Sequence, residues 1–94
     1  MTAYVLADID VTDPTRYADY KALAGPSVEE YGGQYTVRGG SVEVLEGVWD
    51  TGRFVVLEFP DGAAARRWYS SPEYTAARAI RQEASTAKLL LVEP

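Results

Sequence analysis

Ninety-four residues carry 14 acidic and 9 basic side chains, a formal net charge of −5, with 47% hydrophobic and 12% aromatic residues. That length suits one modest core, and the apolar content argues against a disordered chain. The acidic balance opposes a phosphate backbone, so nucleic-acid binding is not expected, and the absence of Cys and His removes disulfides, thiolate nucleophiles, Cys/His metal sites, histidine-ligated haem and Ser-His-Asp catalysis.

Apolar runs are only a few residues long, and the N-terminus lacks the pattern of a secretory leader. The expectation is a soluble cytoplasmic protein without a membrane span, metal or cofactor. Any chemistry then falls to carboxylates, phenols, guanidinium groups, Lys, Ser/Thr and Trp.

The stretch "AYVLADIDV" (3–11) is rich in β-formers, with Val5, Ala7 and Ile9 on one face and Tyr4 and Leu6 on the other, and it predicts a strand. In "TDPTRYADYKALAG", Asp13 can cap a helix and Pro14 suits its first position, while Tyr17, Tyr20 and Ala24 recur at helical spacing. Gly25-Pro26 predicts a break or kink, and "PSVEEYGG" a further short helical piece stopped by Gly32 as a left-handed cap. Strands are predicted at 34–38, 41–46 and 53–59, with "VWDTG" as a turn. Asp61 then opens a helix burying Ala65, Trp68 and Tyr69, and Ser71-Pro72 restarts it as a second piece with an apolar stripe of Ala77, Ile80 and Ala84. "AKLLLVE" (87–93) closes the chain as a strand.

The order βαββαβ predicts a single α+β domain over residues 1–94, of the ferredoxin-like type, with an antiparallel sheet and both helical segments on one face. "FVVLEF" and "KLLLV" are apolar on both faces, whereas the helices cover only one. A homodimer packed sheet to sheet would bury the other; the alternative is a small, partly exposed sheet.

Five stretches, "YVLADIDVTDPTRYADY", "GGQYTVRGGSVEVLEG", "VVLEFPD", "AARRWYSSPEY" and "LLLVE", occur in the order that resembles the DUF1330 group of the dimeric α/β-barrel superfamily. The resemblance implies a ferredoxin-like subunit and a homodimer, and assigns no activity. The wider superfamily includes cofactor-free monooxygenases, haem-degrading enzymes, isomerases and cyclases; the histidine that haem-degrading sites typically use is absent here.

Within "GGQYTVRGG" (32–40), the glycines sit after a helix and between strands, which is the wrong context for a phosphate loop. Gly39-Gly40 reads as a hairpin turn or, preferentially, as a bulge in one long strand over 34–46 that runs on to pair with a second copy. Arg38 is then either a solvating edge charge or a pocket-facing anion ligand. Glu58, a carboxylate inside an apolar strand, reads as a general acid/base or as half of an ion pair, with Arg38 as one candidate partner.

Tyr74, Arg78 and Arg81 fall at i, i+4 and i+7, on a polar stripe opposite the alanines. They suit either recognition of a carboxylate or enolate or a solvated helix face. Trp68, Tyr69, Tyr17 and Tyr20 read as core residues, of which Tyr20 and Trp68 also suit the wall of an aromatic-lined cleft. Two functions follow: a cofactor-free enzyme acting on a small organic metabolite, with Arg38 and Glu58 as catalytic residues and Tyr20, Trp68, Tyr74, Arg78 and Arg81 as ligand contacts; or a non-catalytic dimeric binding or structural module with a filled core.

Overall fold

A computed structural model describes all 94 residues. The elements are β1 (Ala3–Val11), α1 (Pro14–Glu30), β2 (Gln34–Arg38), β3 (Arg53–Phe59), α2 (Gly62–Ser70), α3 (Pro72–Ala84) and β4 (Ser85–Val92). The strands form one antiparallel sheet in the order β2-β3-β1-β4, the α+β ferredoxin-like arrangement expected from the sequence.

Local chemistry sets the helix ends. Asp13 Oδ1 accepts from the Arg16 N–H at 3.1 Å and Asp61 Oδ1 from the Ala64 N–H at 2.7 Å, each satisfying a donor that has no partner in a first helical turn. Ser71 separates α2 from α3: its hydroxyl donates to the Trp68 carbonyl at 2.7 Å and accepts from the Tyr74 N–H at 3.0 Å. At the end of α1, Gly33 N–H donates to Val28 O and Gly32 N–H to Glu29 O, with Gly32 at φ 79°, the paired bonds of a left-handed glycine stop.

The core lies between helices and sheet. Val5, Ala7 and Ile9 of β1 and Val55, Leu57 and Phe59 of β3 meet Tyr17, Tyr20 and Val28 of α1, Trp68 of α2 and Tyr74 of α3. Trp68 sits at its centre, 4.0 Å from the Tyr74 ring and 5.4 Å from Phe59 between centroids, and its indole N–H donates to Ser27 Oγ at 3.1 Å. No helix covers the opposite sheet face: the register carries an apolar row, Val37–Val56–Leu6–Leu90, across all four strands, and Leu90 is 64% exposed.

Several sequence expectations are corrected. Helix α1 runs unbroken through Gly25-Pro26. The residue before a proline is normally pushed out of helical space by its own Cβ and N–H; Gly25 has no Cβ, which removes part of that clash. The long strand over 34–46 does not form: β2 stops at Arg38, Gly39 and Gly40 take φ 79° and 99°, and residues 41–50 are an exposed arm without backbone–backbone hydrogen bonds. The bulge lies earlier, at Thr36, where the pairing shifts between Tyr35 and Val37. Tyr69 is exposed rather than buried. On α3 the buried stripe is Tyr74, Ala77, Arg81 and Ala84, so Tyr74 and Arg81 lie among the alanines and not opposite them.

Candidate functional site

A cavity lies between the helices and the sheet. Its walls are Val5, Ala7 and Ile9 of β1, Val55 and Leu57 of β3, Leu89 of β4 and the rings of Tyr17, Tyr20, Tyr35, Trp68 and Tyr74; its charged lining is Lys21, Arg38, Arg53 and Arg81. No carboxylate lines it. The molecule's ion pairs, Arg16 with Asp19 and Glu83 and Arg66 with Glu93, use none of these four cations.

Arg81 is the deepest charge, 5% exposed. Its Nε–H donates to the Tyr74 hydroxyl at 3.3 Å, and Tyr74 and Tyr20 share a hydrogen bond of 3.0 Å. Burial works against the guanidinium charge, but the phenols of Tyr74, Tyr20 and Tyr69 beside it outweigh that and leave its pKa above the ordinary value. Isolated charges are costly to bury, by several kcal/mol on the general scale, unless a counter-charge or a full set of acceptors is supplied.

The other cations stand on the sheet and at the cavity's edge. Arg53 opens β3 opposite Ile9, on the helix-facing side; its Nε is buried without a hydrogen-bond partner and its guanidinium lies 6.0 Å from the centre of the Tyr17 ring. Arg38 stacks on Tyr35 at 4.2 Å and reaches across to α1, where a β-carbon on Gly25 would stand 3.6 Å from its Nη2. The bulge at Thr36 makes this possible: it puts Tyr35 and Arg38, three residues apart, on the same side of the sheet.

All three resolved shifts among the lining phenols point upward. Burial raises the pKa of Tyr20, helped by Tyr74; burial also raises Tyr17 and Tyr35, against the nearby charges of Arg53 and Arg38 respectively. These phenols are therefore protonated at neutral pH. In the chain Arg81–Tyr74–Tyr20, Arg81 donates to Tyr74 and one phenol donates to the other, which leaves one O–H without an acceptor in that chain. The cavity is rich in donors and poor in acceptors. As it stands it encloses about 20 Å³, room for about one water.

Of the residues singled out from sequence, Arg38, Tyr20, Trp68, Tyr74 and Arg81 come together here. Glu58 does not: it lies in the open-face row Gln34–Glu58–Tyr4–Val92, across the sheet from Arg38, and accepts from Gln34 Nε2 at 3.0 Å rather than pairing with an arginine. Arg78 also stands apart, its guanidinium 4.6 Å over the exposed Tyr69 ring. Sequence reasoning missed Lys21, Arg53 and Tyr35 as lining residues. Arg53 was readable, since Arg53, Val55, Leu57 and Phe59 alternate on one strand face.

The family model for "Domain of unknown function (DUF1330)" matches residues 2–94. The chain belongs to the DUF1330 family. No curated protein matches this DUF1330 chain. Among solved structures it is similar to a Rhodopseudomonas palustris protein of unknown function, with a TM-score of 0.79 and 24% identity over 99% of this chain and 82% of that one. It is also similar to a dimeric ferredoxin-like protein of unknown function from Jannaschia sp. CCS1, with a TM-score of 0.73 and 14% identity over 100% of both chains. A third is SnoaB, a cofactor-independent oxygenase from Streptomyces nogalater, with a TM-score of 0.64 and 16% identity over 99% of this chain and 92% of that one. At these identities the likeness is one of fold. No helix is long and apolar enough to cross a membrane.

Proposed function

We propose that this DUF1330 protein is a homodimer whose subunits each bind a small organic anion, a carboxylate or an enolate, in the cavity between helices and sheet. The carrying observation is the buried guanidinium of Arg81, without a carboxylate partner, in a cavity lined by three further cations and by protonated phenols. A ligand oxyanion supplies both what the charge lacks and the acceptor that the phenols need. Arg81, Tyr74 and Tyr20 hold the anionic group, Trp68 walls the site, and Arg38 closes it. A ligand larger than water widens the cavity, and the exposed Arg38, stacked on Tyr35, is the side chain free to move aside.

The same donors favour the enolate of an acidic substrate over its neutral form, which is how such a site would assist a cofactor-independent reaction. The lining offers no carboxylate to take a proton, so deprotonation would fall to solvent or to the ligand itself. SnoaB lends this enzymatic version an analogy of fold. The dimer rests on the apolar row Val37–Val56–Leu6–Leu90, which no helix covers, and on the arm, where Leu45 is 89% and Val48 is 106% exposed. Glu58, Tyr4 and Gln34 then belong to the seam.

One observation favours the second reading, a dimeric module without a ligand: the closed cavity of about 20 Å³ is close to a filled core. A thermal-shift panel of small carboxylic, phenolic and 1,3-dicarbonyl acids separates the two. On the anion reading, at least one acid raises the melting temperature of the wild type and of Glu58→Gln, and fails to do so for Arg81→Met. A panel with no hit at millimolar ligand, or one whose hits persist in Arg81→Met, rejects it.

A further inference from the structure

Arg53 is held by the two ends of the exposed arm. At the departing end, Gly39 N–H donates to Phe54 O at 2.8 Å, and a β-carbon on Gly39 (φ 79°) would stand 2.7 Å from Arg53 Nη1, so the guanidinium lies along a surface that only glycine provides. At the returning end, Gly52 immediately precedes Arg53. A β-carbon there would collide with the Ile9 carbonyl, and the Gly52 N–H donates to Asp8 Oδ1 at 2.8 Å. The second oxygen of Asp8 accepts from the Trp49 indole N–H at 3.0 Å, and the Trp49 ring packs edge-on against Phe54 at 5.6 Å.

Asp8 itself points to the other side of the sheet. It pairs with Phe54 in the register while Ile9 pairs with Arg53, so consecutive residues put the carboxylate on the open face and the guanidinium on the cavity face. Asp8 cannot touch a ligand in the cavity, and both its oxygens are engaged by the arm. Arg53 Nε has no hydrogen-bond partner, so the place of the guanidinium at the cavity depends on its contacts with Tyr17 and Gly39 and on the backbone from which it projects. A solvated guanidinium is the default when that restraint goes.

We infer that Asp8 and Trp49 form a latch on the open face of the sheet that positions Arg53 at the cavity. Asp8 is thus a positioning residue: it ties residues 49–52 to β1, which fixes the backbone from which Arg53 projects. Its consequence for ligand affinity rests on the anion reading, whereas the positioning of Arg53 does not.

The test is exchange of the arginine Nε–H groups, followed by nitrogen-edited NMR in the wild type, Asp8→Asn and Trp49→Phe. Asn keeps an acceptor for Gly52 but presents an amide to Trp49, and Phe keeps the ring without the donor. The latch predicts that Arg53 Nε–H exchange accelerates about tenfold or more in both variants while Arg81 Nε–H, on α3, is unchanged. Unchanged Arg53 exchange, or equal acceleration at Arg81 from general loosening, overturns it. Benzoate serves as the binding probe in a second arm: Asp8→Asn should weaken its affinity about three- to tenfold with Arg53 present and less than twofold in Arg53→Met. Equal weakening in both backgrounds contradicts positioning through Arg53. A wild type that ignores benzoate counts against the anion reading, and the exchange measurement still decides the latch.

Discussion

The two faces of one sheet break the ordinary rule of burial in opposite directions. Toward the helices, β2 and β3 carry Arg38 and Arg53 to a cavity that also holds the buried Arg81; toward solvent, the same sheet displays the apolar row Val37, Val56, Leu6 and Leu90, flanked by Trp49 but covered by no helix. Charge without a counter-charge and apolar surface without cover are each unfavourable alone. On the reading proposed above, one face receives an anion and the other a second copy. Glu58, which from sequence looked like a catalytic group, lies on the second face, away from the cavity.

The comparison is broken most severely at Trp68, which anchors the helix-facing side at 1% exposure. Trp68→Ala should cost about 3–5 kcal/mol in urea unfolding, through the lost burial and the cavity it leaves. The phenols give the next largest effect. Since burial raises the pKa of Tyr20, Tyr17 and Tyr35 from the ordinary 10.0, the unfolded chain releases their protons first. Their contribution is complete below pH 10 and is lost as pH rises above it, by up to about 1.4 kcal/mol per pH unit for each phenol still protonated in the fold. Tyr20→Phe should shallow that alkaline slope while leaving stability near neutral pH within about 1.5 kcal/mol, the usual worth of one hydrogen bond.

On the open face, Leu6→Lys places a charge at the centre of the apolar row. Sedimentation should then report monomers where the wild type is dimeric, with far-UV circular dichroism retained; a wild type that sediments as a monomer removes the dimer from the account. Glu58→Gln should be the mildest change, within about 0.5 kcal/mol, because its Gln34 hydrogen bond is exposed.

Much of this frame was legible in the sequence. The alternation over 3–11 and 53–59, the caps at Asp13, Asp61 and Gly32 and the restart at Ser71-Pro72 all stand as read, because each is a local signal that tertiary packing reinforces. The arm failed as a strand for a non-local reason: Val42 and Val44 have the right period, but a strand needs a neighbouring backbone and none lies beside residues 41–46 within the subunit. Arg38's side of the sheet was illegible because a single extra residue at Thr36 reverses parity. Arg81 was misassigned because a charge on a buried stripe contradicts the ordinary preference, and only the phenols from α1 and α3 around it explain why it stays.

The anion reading is tested most directly by measuring Arg81→Met twice, by urea unfolding without ligand and by calorimetric titration with the best acid from the panel. If the guanidinium is buried for a ligand's sake, the variant should be as stable as the wild type or more stable by about 1–2 kcal/mol, the direction expected when an apolar side chain replaces a buried charge, and should lose binding at least tenfold. A variant that is markedly destabilised yet binds the acid as tightly as the wild type would make Arg81 a structural residue and contradict the account.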